Sequence, residues 1–296
     1  MSLTLPAPVT RAPAPAPSQT RRRHRRDAAR QVALVVLLTV LGAAVLVPFV
    51  WMVVSSLKRN VDVFTVPIQW LPTKAQWANY LHIWQEIPLA TYLSNSLLLA
   101  VVISLLQVLT GSFAAYGFAK VRFRGRDALF LAYVATIAVP WQAYMVPQYI
   151  LMDKLGLVNT RWSLILLQAF GAFGVFLMRQ YYLTIPDELI EAARLDGLTE
   201  FGIWARVAVP LSKPALASLG LLTFVNTWND YMGPFIYLTS NDLWTIQLGL
   251  RSFVGAYDSE YAMIMAGSVI SVVPILVVFL LGQRYFVQGI STTGMK

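Results

Sequence analysis

Long, almost uncharged apolar runs separated by short polar segments limit this chain to very few folds. A helix rises 1.5 Å per residue, so about 20 apolar residues cross a hydrocarbon core of about 30 Å. Inside a bilayer the backbone must satisfy its own amides, which leaves helices and closed barrels. Six spans are expected, at about Val32 to Val54, Ser94 to Ala119, Leu129 to Val146, Trp162 to Tyr182, Ala215 to Tyr237 and Met263 to Phe286. Composition agrees, since 57% of the 296 residues are hydrophobic and 12% charged, against roughly 25% charged in soluble domains. The expected fold class is an all-α membrane protein with six transmembrane helices.

The segment before the first span divides in two. Met1 to Gln19 is rich in proline, alanine, serine and threonine without apolar periodicity, and Arg21, Arg22, Arg23, Arg25, Arg26 and Arg30 follow. Residues 1–30 are expected to be a disordered tail. The apolar run after them is too long for a signal h-region and has no convincing cleavage site, so the arginines read as an anchor that keeps the N-terminus in the cytoplasm. Residues 31–296 form the transmembrane domain.

Charge sets the orientation. With six spans and an internal N-terminus, 17 of the 23 Lys and Arg fall on the cytoplasmic side, as the positive-inside rule requires. Lys120, Arg122, Arg124 and Arg126 crowd one short loop on that side. The same rule accounts for the net charge of +9, so nucleic acid is not an expected partner. The chain has no cysteine and only His24 and His82, which excludes disulfides, thiolate metal sites and a histidine cluster.

Several features qualify the spans. Pro48 is expected to kink the first. Trp70, Trp77, Tyr80 and Trp84 after it fit an aromatic belt or a short interfacial helix. Gly111, Ala115 and Ala119 share one face of the second span and permit close helix packing. Pro140 breaks the third span, with Pro147 behind it, and the carbonyls thus freed must find neighbouring helices or water, as in a helix that lines a pathway. The fifth span carries Asn226, Thr227, Trp228, Asn229 and Asp230, the most polar interior stretch.

Between the fourth and fifth spans, Ile185 to Pro210 gathers carboxylates, arginines and helix punctuation. Pro186 suits a first helical turn, and Asp187 and Glu188 follow where the dipole favours negative charge. Leu189, Ala192, Ala193 and Asp196 are expected on one face. Gly197 is the expected left-handed stop, and Thr199 caps a second helix starting at Glu200. The prediction is a compact helix, turn, helix. Its small Ala192 and Ala193 let a groove of another protein approach, and Glu191 and Arg194 serve as ion-pair handles.

Glu191, Ala192, Ala193 and Gly197, with Val207, Val209 and Pro210 beyond, resemble the EAA loop of the membrane subunits of binding-protein-dependent ABC importers. The resemblance runs from the first span to the C-terminus. Pro140, Gln142, Pro147, Gly156, Leu157, Asn159 and Thr160, then Trp228, Asn229 and Pro234, are similar to stretches of carbohydrate-uptake permeases of the MalG-type maltose component. Val207 and Val209 stand where that family more often has isoleucine and leucine. The resemblance implies a type I importer transmembrane domain in a bacterial inner membrane, multi-pass, with both termini cytoplasmic. It also implies two cytoplasmic ATPase subunits, a second, non-identical permease, and an extracytoplasmic sugar-binding protein. Glu191, Ala192, Ala193, Arg194, Asp196 and Gly197 would then couple to an ATPase.

No G-x-x-x-x-G-K-[ST] loop occurs, so ATP and Mg are expected on the partner subunits, with no cofactor on this chain and no enzymatic role for it. Asn226, Trp228, Asn229 and Asp230 are candidate substrate-pathway residues, because amides and tryptophan suit sugar hydroxyls and sugar faces. Trp141 and Gln142 in the broken third span are candidates of the same kind. Helix pairing or exposure near the outer interface explains Asp230 equally well. The alternative function is a secondary transporter driven by an ion gradient. It requires a titratable cluster at midplane, and the spans offer only Asp230, near one end.

Overall fold

The computed structural model describes the backbone of residues 17–255 and 259–291, with side chains placed for 30–255 and 259–283. The chain divides into two units, residues 1–51 and 52–296. The first is the leading part of helix α1 (Pro17–Ser56), which contains Pro48 and starts inside the segment for which disorder was expected. Its apolar side chains from Val32 to Val50 are exposed, as suits a helix meant for lipid or another subunit.

Among the described residues the regular elements of the second unit are helices, joined by loops. After the end of α1 come α2 (Asn79–Glu86), α3 (Leu89–Lys120), α4 (Arg126–Ala135), α5 (Met145–Lys154), α6 (Arg161–Gln168), α7 (Ala172–Tyr182) and α8 (Asp187–Leu195). The short α9 (Glu200–Ile203) leads through a wide turn into α10 (Val209–Leu211). Then follow α11 (Lys213–Trp228), α12 (Met232–Tyr237), α13 (Ile246–Gly249) and α14 (Tyr261–Ser291). Helix α3 is the central post: it packs on α7 and α11, and α11 packs on α14.

The α3–α7 crossing follows from the small residues. Gly111, Ala115 and Ala119 are buried, and a Cβ placed on Gly111 would sit 3.4 Å from the backbone carbon of Gly174. Larger side chains would hold the helices apart and forfeit the dispersion contacts on which helix association in lipid depends. Around this crossing Tyr182, Ile190, Ile203, Trp204 and Leu219 close one core, and Tyr92, Phe224, Trp228 and Ile246 centre another.

The spans are less continuous than expected. Among the described residues four helical stretches are long and apolar enough to cross a membrane: Arg30–Ser56, Leu89–Lys120, Arg161–Tyr182, which is α6 and α7 together, and Tyr261–Gln283. A fifth crossing requires the pair Glu200–Leu211 and Lys213–Trp228, bent by 83°. The third expected span is two helices, α4 and α5, with single turns at Thr136–Ala138 and Trp141–Ala143 flanking an extended Pro140. Proline withholds a donor and pushes its predecessor out of helical geometry, which explains the break at Val139. The fifth span stops at Trp228 instead of reaching Tyr237, and α12 restarts the chain beyond Asp230.

Two asparagines hold the loops that connect these pieces. Asn159 adopts φ 59°, a left-handed conformation that asparagine tolerates, and its Oδ1 accepts from the amides of Thr239 and Ser240 at 3.0 and 2.9 Å. Asn95, buried in α3, donates to the carbonyls of Asp242 and Trp244 and accepts from Arg161 at 2.7 Å.

Candidate functional site: a clamped loop and a polar pocket

The stretch from Ile185 to Leu211 folds as expected locally. Pro186 stands one position before α8, and Asp187 and Glu188 occupy its first turn. The helix ends on Gly197 at φ 81°. There the amide of Leu198 reaches the carbonyl of Ala193 at 3.1 Å and that of Gly197 reaches Arg194 at 3.0 Å. This double bond pattern satisfies the last carbonyls of the helix and favours glycine at the left-handed residue. Thr199 Oγ1 then accepts from the amide of Gly202 at 3.2 Å, capping the second arm. That arm widens at Trp204–Ala208, just ahead of Pro210, which has no N–H to offer the regular ladder.

The faces of α8 differ from the expectation in one respect. Ala193 and Ile190 point into the protein's own core, at 7% and 1% exposure. Leu189, Glu191, Ala192 and Asp196 remain exposed, with Leu195 at 90%. The two alanines therefore do not form one surface, because adjacent helical positions are 100° apart and the core claims one of them. Arg194 is likewise no free handle: its Nε donates to Glu200 Oε1 at 2.7 Å and its Nη2 to the carbonyl of Lys120 at 3.1 Å.

Groups from α3 bind this loop from beneath. Lys120, its side chain 3% exposed, donates to the carbonyl of Ile185 and to Asp187 Oδ1, each at 2.6 Å. The ammonium beside it holds the Asp187 carboxyl below the usual carboxylate range. Tyr116 donates to Glu200 Oε2 at 2.7 Å. Deeper still, Ser112 lies 2.6 Å from the hydroxyl of Tyr182 and accepts from the Trp204 indole at 3.0 Å. The sequence expectation missed Lys120, Tyr116 and Ser112 as supports. Lys120 counts toward the cytoplasmic charge bias, but its place at the last turn of an apolar helix also suits it to bond nearby carbonyls.

A second arrangement surrounds the broken spans. A cavity of about 340 Å³ is lined by residues that include Gln107, Trp141, Tyr144, Gln148, Gln168, Asp230 and Tyr237. Asp230 Oδ1 accepts from the Gly233 amide at 3.0 Å and Oδ2 from Gln168 Nε2 at 2.9 Å. Gln107 donates to the Gln168 carbonyl at 2.7 Å, and Trp141 donates to Gln148 Oε1 at 2.9 Å. Of the expected pathway residues, Trp141 and Asp230 meet here. Gln142 is exposed and outside the lining.

The remaining expected residues lie elsewhere. Trp228 is 1% exposed, stacks on Phe224 with centroids 5.8 Å apart, and donates to the Ser271 carbonyl at 3.1 Å. It is core, because burial with a satisfied indole N–H leaves no face for a ligand. Asn226 is exposed on α11, and Asn229 accepts from Gln247 at 3.4 Å. The amides Gln107 and Gln168 were missed, although each is a polar residue within an apolar run, a signal that marks a cavity.

Residues 107–292 match the family model described as the binding-protein-dependent transport system inner membrane component. The chain belongs to that family. The matched segment contains both the clamped loop and the pocket. The chain is 38% identical over 226 residues to the arabinooligosaccharides transport system permease protein AraQ of Halalkalibacterium halodurans, covering 76% of this chain and 81% of the relative. It is 34% identical over 242 residues to the lactose transport system permease protein LacG of Rhizobium radiobacter, covering 82% and 88%. Its fold matches a crystal structure of a bacterial ABC transporter involved in the import of the acidic polysaccharide alginate, with a TM-score of 0.76, 26% identity, and coverage of 88% and 98%.

Proposed function

We propose that this chain is a permease subunit of an ATP-driven, binding-protein-dependent sugar importer, contributing half of the translocation pathway and docking an ATPase through the loop at 185–210. The observation that carries the reading is the construction of that loop. Its inner side is bolted to α3 by Lys120 and Tyr116, while Leu195 and Phe201 stand out at 90% and 63% exposure. An apolar tip on a stiff mount serves contact with a partner, and displacement of the tip must then move α3.

The partners inferred are a pair of cytoplasmic ATPases that bind ATP and Mg, a second, non-identical permease, and an extracytoplasmic sugar-binding protein. Saccharides are inferred as the cargo from the printed names of the relatives. The location inferred is a bacterial inner membrane with both termini in the cytoplasm, supported by the cation bias at Lys120 to Arg126. Within that setting ATP-driven closure of the partners displaces Glu191 to Gly197 and rocks the spans between inward-open and outward-open states. Such coupling requires that the ATPases bind the two states with different free energy.

Purification of the tagged chain from native membranes and reconstitution into vesicles test this reading. The expected result is recovery with an ATPase and a second permease, and ATP-dependent sugar uptake stimulated by the binding protein. Recovery without any ATPase, with uptake following a proton or sodium gradient, would overturn it.

A further inference from the structure

We propose that the pocket around Asp230 is a saccharide subsite that admits neutral sugars and excludes anionic ones. The proposal rests on the permease reading and deepens it by naming the class of cargo this subunit accepts. Among the described residues Asp230 supplies the pocket's single carboxylate, and no Lys, Arg or His lines it. Its two oxygens each accept one neutral donor, from the Gly233 amide at 3.0 Å and from Gln168 at 2.9 Å. A carboxylate oxygen offers two lone-pair sites, so each oxygen retains an acceptor site for a sugar hydroxyl. Trp141 and the exposed Tyr144 add aromatic surface suited to the C–H face of a pyranose ring.

The placement of the charge is built in. A Cβ on Gly233 would lie 2.5 Å from Asp230 Oδ2, so glycine is what lets the carboxylate sit over its amide donor. A uronate or aldonate entering this cavity meets a like charge at short range with no lining cation to compensate either group. Selectivity of this kind arises from repulsion of the wrong ligand as much as from attraction of the right one.

The chain has no cysteine, so a single reporter thiol can be placed in it. Met232→Cys puts the thiol in the pocket lining, and Leu155→Cys, outside the lining, is the control. In the complete transporter, methanethiosulfonates bearing a trimethylammonium or a sulfonate are compared at both positions. The expected result is a preference for the cationic reagent at residue 232 of about tenfold over the control, collapsing to the control ratio with Asp230→Asn. The neutral sugar that the same membranes take up should slow modification at residue 232, and its C1-oxidised acid should not. Gly233→Ala, which keeps the charge but crowds the carboxylate, should weaken protection by the neutral sugar and retain the cation preference.

A ratio unchanged by Asp230→Asn, equal protection by the acid, or no protection by a sugar that is transported would each overturn the subsite. Absence of ATP-driven sugar uptake in the unmodified complex would instead count against the permease reading. The reagent ratio needs no turnover and still decides whether Asp230 sets the charge of the pocket.

Discussion

Arg194 reaches across the Gly197 turn to Glu200, Nε to Oε1, at 2.7 Å, so the two arms of the exposed loop are joined by an ion pair as well as by the chain. Tyr116 holds the other carboxylate oxygen, at 2.7 Å, and Arg194 also donates to the Lys120 carbonyl at 3.1 Å. The pair therefore belongs to a four-residue lattice that fixes the loop to the end of α3.

Glu200→Gln is the mildest way to loosen that lattice. Both partners are partly exposed, at 36% and 44%, so the pair itself contributes only about 0–1 kcal/mol to stability. Its effect should appear in transmission instead, where a residue along a coupling network changes coupling by about 0.5–2 kcal/mol. The expected outcome is a roughly two- to thirtyfold fall in sugar moved per ATP hydrolysed, with the thermal midpoint almost unchanged. An unaltered ratio in reconstituted vesicles would show that the ion pair has no part in coupling.

Lys120 presents the opposite case, because its side chain is 3% exposed and its amine serves the Ile185 carbonyl as well as Asp187. Lys120→Met leaves that carbonyl without its donor, a loss of about 1–3 kcal/mol for a buried group. The pH dependence has a definite sign. Since Lys120 lowers the Asp187 pKa, the stabilisation is present above the ordinary carboxylate value of about 4 and is lost as pH falls through the lower folded value. Between about pH 5 and 8 the pair contributes no slope to the thermal midpoint. Below about pH 4 part of the acid-induced loss should disappear in Asp187→Asn. A slope from this pair near neutrality would contradict the assignment.

Much of this loop was legible in the sequence because its signals are local. A left-handed glycine at Gly197, a threonine cap at Thr199 and acidic residues at Asp187 and Glu188 act within a turn or two of themselves. The partners of Arg194 and the orientation of Ala193 were not legible, since they depend on how α3 and α9 sit against α8, a relation between distant segments. The broken spans divided the same way. Pro140 announced its break, whereas the stop at Trp228 follows from Asp230 turning back to the Gly233 amide and to Gln168.

Trp228 makes the distinction between core and cargo measurable. Its indole N–H bonds to Ser271 and its ring stacks on Phe224, so Trp228→Phe should destabilise by about 1–3 kcal/mol through the lost buried hydrogen bond and the lost volume. The KM for sugar uptake should stay within about twofold, because a change in ground-state binding requires a lost substrate contact. A large rise in KM with an unchanged thermal midpoint would return Trp228 to the substrate pathway.

Leu195 and Gly197 separate docking from folding within three residues of each other. Leu195 is 90% exposed and outside the core clusters, so Leu195→Glu should leave stability within about 0.5 kcal/mol, as surface changes usually do. If the exposed tip seats in an ATPase, the same change buries a charge at the contact, and retention of the ATPase during purification should fall by at least about tenfold. Gly197→Val acts in reverse. At φ 81° a β-branched residue strains the backbone by about 1–2 kcal/mol, lowering the thermal midpoint while the apolar tip remains available. Measured together on the solubilised complex, the first variant should lose the ATPase at normal stability and the second should lose stability first. Equal ATPase retention in Leu195→Glu and the unmodified chain would remove the loop tip from the docking surface.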